Sequence, residues 1–162
     1  VGRRSARIRC VRYHIIAVGR AGQGPERALF ERFAARLSPP PVLREVQEKR
    51  SLTPVELMER EGRLLLDAVP KGAAVVAMDE KGKTLSSNAL AVKIGEWRDR
   101  GVHDLAFLIG GANGLDDKVL GRVDLALSLG PMTWPHMLAR GLLAEQLYRA
   151  QCILSGHPYH RE

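Results

Sequence analysis

Only 5% of the 162-residue chain is aromatic: two tryptophans, three tyrosines and three phenylalanines. So few rings give little stacking surface for holding free single-stranded RNA. There are two cysteines, Cys10 and Cys152, too few for a disulfide framework or a cysteine zinc site. The first sits in a tail and the second reads as a small hydrophobe in a helix. No apolar run approaches the ~18 residues of a membrane span. Acid is missing from residues 1–20, which hold six arginines (Arg3, Arg4, Arg7, Arg9, Arg12 and Arg20). No apolar segment follows those arginines, as a secretory signal would require. A reduced, cytoplasmic protein is expected.

The chain is 45% hydrophobic and 27% charged, a globular composition long enough for one core. Its net charge of +7 is unevenly placed. Residues 21–162 hold 19 basic and 18 acidic side chains, so the body is nearly neutral. Any nucleic-acid site on it must be a local cluster. Residues 1–11 are expected to form a disordered basic extension, and residues 12–162 a single domain.

Strand and helix patterns alternate. Strands are expected over 13–18, 42–46, 73–78, 105–109 and 125–129, the later ones continuous apolar runs suited to a sheet covered on both faces. Helices are expected over 26–37, from Thr53-Pro54 to about Ala68, from Ser86 or Ser87 to Trp97, and from Pro135 to about Leu154. A further helix is expected to start with Asp116 and Asp117. This is an α/β sandwich with a mostly parallel sheet. The strand order is not legible in the pattern.

One stretch, FLIGGANG at 107–114, raises the question of a phosphate loop. A dinucleotide fingerprint needs G-x-G-x-x-G, whereas Gly110, Gly111 and Gly114 give G-G-x-x-G. Asp116 and Asp117 would repel a phosphate at the next helix start. No Gly-Lys-Ser/Thr follows, which excludes a Walker loop. Taken alone, the glycines fit a tight turn with positive φ. However, a second strand end, LSLGPMTWPH at 127–136, carries a similar cluster, and a third ends in Met78. Three such ends can form a backbone-walled slot for a flat adenine and a thioether chain.

These segments, with LLAEQLYRA at 142–150 and the terminal HPYHRE at 157–162, resemble the RlmH family. Its members are SPOUT-superfamily methyltransferases that act on a pseudouridine of large-subunit (23S) ribosomal RNA. The resemblance covers roughly 13–162 and is densest after 104. It implies a SPOUT-type α/β knot with a C-terminal trefoil, an exception to the rule that chains do not thread. It also implies S-adenosylmethionine as cofactor and a homodimer, with no DNA or membrane partner. By position, Met78, Gly111, Gly130, Pro131, Met132, Thr133, Trp134 and Pro135 match the family's cofactor contacts. The implied reaction methylates N3 of a pseudouridine in a stem-loop of the assembled ribosome.

The remaining candidates surround that site. Arg140, one turn beyond the cofactor loop, is placed to meet an RNA phosphate. Glu145 and Arg149 form an i, i+4 pair that reads equally as a surface ion pair. The tail is either a frayed end or a substrate clamp, and the resemblance favours the clamp. In a clamp, Tyr159 would stack on a base, Arg161 and His157 would contact RNA, and His160 would take a proton, with Tyr159 as the alternative base. Two histidines without carboxylate or thiol ligands do not make a metal site. The competing possibilities are a SPOUT enzyme acting on tRNA and a non-catalytic RNA-binding assembly factor.

Overall fold

A computed structural model describes residues 10–162. The expected disorder of the basic extension falls on residues 1–9, outside the described residues. Val11, assigned above to that extension, is 7% exposed and packs into the core. The folded body therefore begins before residue 12.

Among the described residues, five strands and five helices alternate. They run β1 (Arg12–Val18), α1 (Pro25–Ala34), β2 (Val42–Val46), α2 (Pro54–Asp67) and β3 (Ala74–Thr84), then α3 (Ser87–Asp99), β4 (Asp104–Ile109), α4 (Asp117–Leu120), β5 (Leu125–Ser128) and α5 (His136–Ser155). The strands form one sheet in the order β2-β1-β4-β3-β5, and every pairing is parallel. This is the expected α/β architecture, with the strand order now fixed.

Local chemistry explains most boundaries. Thr53 caps α2 in a reciprocal box: its hydroxyl accepts from the Glu56 N–H (3.3 Å), and the Glu56 carboxylate accepts from the Thr53 N–H (3.1 Å). The Ser86 hydroxyl accepts from Ala89 N–H at the start of α3. Helix α1 stops at Ala34, three residues short of expectation. Its last N–H groups, from Arg36 and Leu37, bond three residues back, to Phe33 and Ala34, so the coil tightens before the prolines.

The core is divided by the sheet. On one face Tyr13, Ile15, Val76, Leu105 and Phe107 pack against Phe30 of α1, Leu90 and Ile94 of α3, and Leu143 and Leu147 of α5. On the other face Ile16, Val75, Ala106 and Leu108 meet Leu65 of α2 and Val119 of α4. This two-sided burial is why the strands read as continuous apolar runs.

The largest departure from expectation is β3. The apolar pattern ends at Met78, but the strand continues through Asp79-Glu-Lys-Gly-Lys-Thr84. Leu127 of β5 is registered against Met78 and again against Lys83, with the intervening residues looped out. Backbone pairing rather than side-chain burial holds this polar extension, so hydrophobicity gave no sign of it. Gly82 makes the second pairing possible: a Cβ there would lie 2.6 Å from the carbonyl carbon and oxygen of Ala126. Gly82→Ala should therefore displace β5 and lower stability by about 1–3 kcal/mol, as overpacking does. Urea denaturation checks this; an unchanged midpoint would mean that the contact relaxes freely.

Candidate active site

The carboxyl ends of β4, β3 and β5 bring the expected cofactor residues to one edge. Met78 is registered against Ile109, just before Gly110 and Gly111, and Gly130 follows β5. Within the IGGANG turn, Gly114 N–H donates to Gly111 O (3.0 Å) and Gly114 has φ of 79°. A Cβ on Gly110 would meet the Gly114 carbonyl at 2.8 Å. The turn thus needs its glycines for its own closure. Gly130 likewise has φ of 111°, outside the comfortable range of other residues.

A cavity of about 320 Å³ opens beside β5. Leu127, Leu129, Leu90, Leu143 and Leu85 supply apolar walls, while Ser86, Ser87, Ser128, Gly130 and Gln146 supply polar edges. Ser128 shapes its mouth. Its hydroxyl lies within bonding distance of the carbonyls of Glu80 (2.9 Å) and Gly130 (3.0 Å) and accepts from Gly130 N–H (3.0 Å). Thr133 adds a bond from its hydroxyl to the Glu80 carboxylate at 3.3 Å. Of the eight expected cofactor residues, Gly130 alone lines this cavity. Pro131 to Pro135 form an exposed loop beyond it, with Met132 71% and Trp134 42% exposed. Thr84 to Ser87 were missed because a polar strand end carries no recognisable pattern.

Gly111, expected among the cofactor contacts, is packed against α2 on its Cα side: a Cβ there would meet Glu61 Oε2 at 3.0 Å, Val18 Cγ1 at 3.1 Å and Glu61 Oε1 at 3.3 Å. The glycine makes room for a carboxylate on α2 that has no signature in the sequence.

Arg140 is also differently employed. It is 2% exposed, so it presents no cation to RNA. Its guanidinium donates to Glu45 Oε2 (2.7 Å) and to the carbonyls of Val18 (3.2 Å) and Gly19 (2.9 Å). Burial pushes the Glu45 carboxyl up, but hydrogen bonds from Arg140 and the Ala21 N–H outweigh it and hold the group below its usual range. Arg140 ties the start of α5 to the end of β1.

The tail is folded back rather than frayed. Gly156 takes a left-handed conformation (φ 75°), and His157 N–H donates to Cys152 O (2.9 Å), turning the chain along α5. Tyr159 then donates its hydroxyl to Glu145 Oε1 (3.0 Å) and meets the Tyr148 ring edge-on at 4.7 Å. Arg149 lies over the Tyr159 ring at 4.8 Å and donates to the same carboxylate. Burial and the Glu145 carboxylate both push the Tyr159 hydroxyl up from its usual value. His160 Nδ1 faces Arg149 Nη1 at 3.2 Å. Because arginine only donates, Nδ1 must accept and Nε2 carry the proton. The Nε2 atom is buried without a partner, so His160 has no free lone pair in this arrangement. His157 and Arg161 are exposed. Glu145 and Arg149 are therefore the scaffold of the tail, a role their i, i+4 spacing alone could not distinguish from a surface pair.

A hydrogen-bonded run joins cavity and tail. Ser87 Oγ donates to Gln146 Oε1 (2.7 Å), Gln146 Nε2 donates to Glu145 Oε2 (3.0 Å), and Glu145 receives Tyr159. Asn88, beside Ser87, donates to the Glu162 carboxylate (2.7 Å).

Glu61 is 8% exposed, and its Oε2 is buried without a hydrogen-bond partner. Burial alone pushes its carboxyl above the ordinary value. The facing groups are Gly111 and Val18; nearby Asp116 accepts from the N–H groups of Lys118 and Val119, and Arg60 is bound to Glu48. A carboxyl whose folded value is raised loses stability as pH climbs from its unfolded value of about 4.3 through the folded one. Glu61→Gln has no such loss. The two proteins should melt close together at about pH 4, and the variant should melt higher at about pH 8. Parallel melting curves across that range would show that Glu61 is already solvated.

Comparison with known proteins agrees with the α/β architecture. A family described as predicted SPOUT methyltransferase matches residues 11–160. The ribosomal RNA large subunit methyltransferase H of Paramagnetospirillum magneticum is 58% identical over 151 residues, covering 93% of this chain and 99% of that one. The protein of the same name from Rhodospirillum centenum is 55% identical over 151 residues, with the same coverage of both chains. Among solved structures, a probable methylase family protein from Haemophilus influenzae Rd KW20 is similar in fold, with TM-score 0.51 at 10% identity, over 91% of this chain and 67% of that one. With relatives more than half identical almost from end to end, the chain belongs to the SPOUT methyltransferases and, within them, to the ribosomal RNA large subunit methyltransferase H family.

Proposed function

We propose that this chain is an S-adenosylmethionine-dependent methyltransferase of large-subunit ribosomal RNA, acting on N3 of a pseudouridine in the assembled ribosome. The observation that carries the site assignment is the run Ser87–Gln146–Glu145–Tyr159, which couples a cofactor-sized cavity to the tail. The relatives' names support the substrate class.

The cavity suits the cofactor chemically. Leucine walls accept a flat base, and the backbone at the cavity's mouth can read its edge without a charged side chain. Leu127, Leu129, Leu90 and Gly130 would hold the adenosine, and the 131–135 loop would close over it. When bound, the cofactor supplies an electrophilic methyl group on a sulfonium. Everything else falls to the chain: walls that exclude water, a tail that presents the nucleotide, and a route for the N3 proton.

That proton route runs through Tyr159. His160 can act as base only after releasing Arg149, whereas the Tyr159 oxygen keeps its lone pairs while its own proton points at Glu145. Tyr159 can thus accept from N3–H as its phenolic proton moves onto the Glu145 carboxylate. Exposed His157 and Arg161 are left to contact RNA.

Two further features complete this picture. Leu127's double registration with β3 fits a chain threaded through a C-terminal knot. Exposed Met132 and Trp134 beside the cavity fit coverage by a second copy, so a homodimer is expected at micromolar concentration by light scattering. The body's near-neutral charge favours a large, shaped substrate over free RNA. Action on ribosomes places the enzyme in the cytoplasm.

Two measurements test the proposal. Labelled-methyl transfer should be efficient with whole ribosomes, weak with naked large-subunit RNA, and absent when the pseudouridine is replaced by uridine. Efficient methylation of naked RNA would defeat the particle requirement. Tyr159→Phe should lower kcat by 10²-fold or more, the usual share of a positioned acid or base, while cofactor affinity stays the same. Loss of both together would make the tail part of the cofactor pocket.

A further inference from the structure

The loop after β2 leaves the sheet at the same edge as the cavity, but at the far end of that edge. All strands are parallel, so residues 47–53 emerge on the carboxyl side together with Gly110 and Gly130. β2 and β5 are the outer strands, four spacings apart, or roughly 19 Å at about 4.8 Å each. The function described so far uses the β5 end and the tail, and gives this loop no role.

The loop carries Glu48, Lys49 and Arg50, and Arg60 reaches it from the second turn of α2. One carboxylate holds both arginines. Glu48 Oε1 accepts from the Arg50 backbone N–H (3.0 Å) and Nε (3.1 Å), while Oε2 accepts from Arg50 Nη2 (3.3 Å) and Arg60 Nε (2.8 Å). Hydrogen bonds from Arg50, and then from Arg60, hold the Glu48 carboxyl down at about 2, so it stays ionised at neutral pH. The charge presented outward is nonetheless positive. The Glu48 side chain is 8% exposed, against 66% for Arg50 and 39% for Arg60. Each guanidinium keeps further N–H groups that have no acceptor among the described residues. The acids nearest in sequence are engaged elsewhere, Glu45 with Arg140 and Glu56 with the Thr53 N–H. Lys49 is exposed and adds another cation.

A surface ion pair needs one arginine per carboxylate and contributes little stability. A second guanidinium on the same carboxylate leaves the group cationic and brings two like charges together. An anion with several acceptor oxygens relieves that repulsion and takes the free N–H groups in pairs, as phosphate does with arginine. We propose that Arg50 and Arg60, joined on Glu48, form a phosphate fork that grips the backbone of the substrate ribosomal RNA away from the target base. This deepens the substrate reading made above and rests on it. With the target base at the cavity, RNA crossing the sheet edge brings another of its phosphates to the β2 end. Such a contact fixes register without reading sequence. The fork is also the local cluster that a nearly neutral body needs to hold nucleic acid.

The test is methyl transfer to whole ribosomes by Arg50→Gln and Arg60→Gln, measured between about 50 and 200 mM salt. Each variant leaves the other arginine on Glu48, so the carboxylate keeps a partner and the loop its anchor. Each should raise KM for ribosomes about fivefold near 0.15 M salt, with kcat and S-adenosylmethionine affinity unchanged. The slope of log KM against log salt should fall by about one, the share of one phosphate contact. Arg100→Gln, at an exposed residue on the opposite edge of the sheet, should match wild type. Binding of protein-free large-subunit RNA, read by fluorescence anisotropy, should lose the same slope. A loss confined to ribosomes would assign the fork to a ribosomal protein and overturn the proposal. A wild-type KM in both variants would also overturn it, as would a fall in kcat alone or an equal loss in Arg100→Gln. Active wild type with unaffected variants sinks the fork alone, whereas wild type that methylates no ribosomes sinks the substrate reading and the fork with it.

Discussion

Gly82 has no room for a side chain, and the working edge of the protein depends on that. Its Cα backs onto the peptide between Ala126 and Leu127, letting β3 pair with β5 a second time at Lys83 and Thr84. The cavity is built from the two segments that leave this pairing, Thr84 to Ser87 and Leu127 to Gly130. A bulkier residue at 82 would push these walls apart. The Ser128 hydroxyl would then lose its reach to Glu80 and Gly130, which sets the cavity's mouth. The site is therefore a consequence of backbone proximity, with side chains lining a gap that glycine makes possible.

Helix α5 carries this edge to the tail. Its second turn is clamped to β1 by Arg140, while its middle packs Leu143 and Leu147 into the core and holds Glu145 and Arg149 against Tyr159. A buried ion pair is weak evidence of stability on its own, because desolvation offsets much of the attraction. Arg140 escapes this limit by also donating to two backbone carbonyls at the end of β1. The result is a rigid rod whose two ends register the sheet edge and the tail relative to each other.

Sequence patterns revealed the elements governed by hydrophobic burial. Strands covered on both faces, such as Leu105 to Ile109, read as apolar runs, and Thr53-Pro54 declared a helix start through capping chemistry. The patterns were silent wherever backbone or charge geometry decided the outcome. The polar half of β3 has no periodicity, since its pairing buries no side-chain stripe. Arg140 looked like an RNA contact because an arginine one turn past a loop is usually exposed; only the fold brings Glu45 and two carbonyls to meet it. Glu61 lay inside an ordinary amphipathic helix and carried no signal at all. The tail's chemistry was visible in its residue types, but not its attachment to Glu145, which depends on the chain reversing at Gly156.

Two of the three buried charged side chains among the described residues converge on the end of β1 from opposite faces. Arg140 arrives from the α5 side and bonds the Val18 and Gly19 carbonyls; Glu61 arrives from the α2 side and packs near the Val18 side chain and Gly111. Each would be a natural partner for the other, yet the sheet stands between them. Arg140 has been given a carboxylate and two carbonyls, whereas Glu61 has been given no donor, in a fold that satisfies nearly every other buried polar group described. Glu61 therefore costs the fold the burial of an unpaired carboxylate oxygen, whereas Arg140 recovers its desolvation through three acceptors. Gly111, lacking a Cβ, lets the turn after β4 pack directly against that carboxylate.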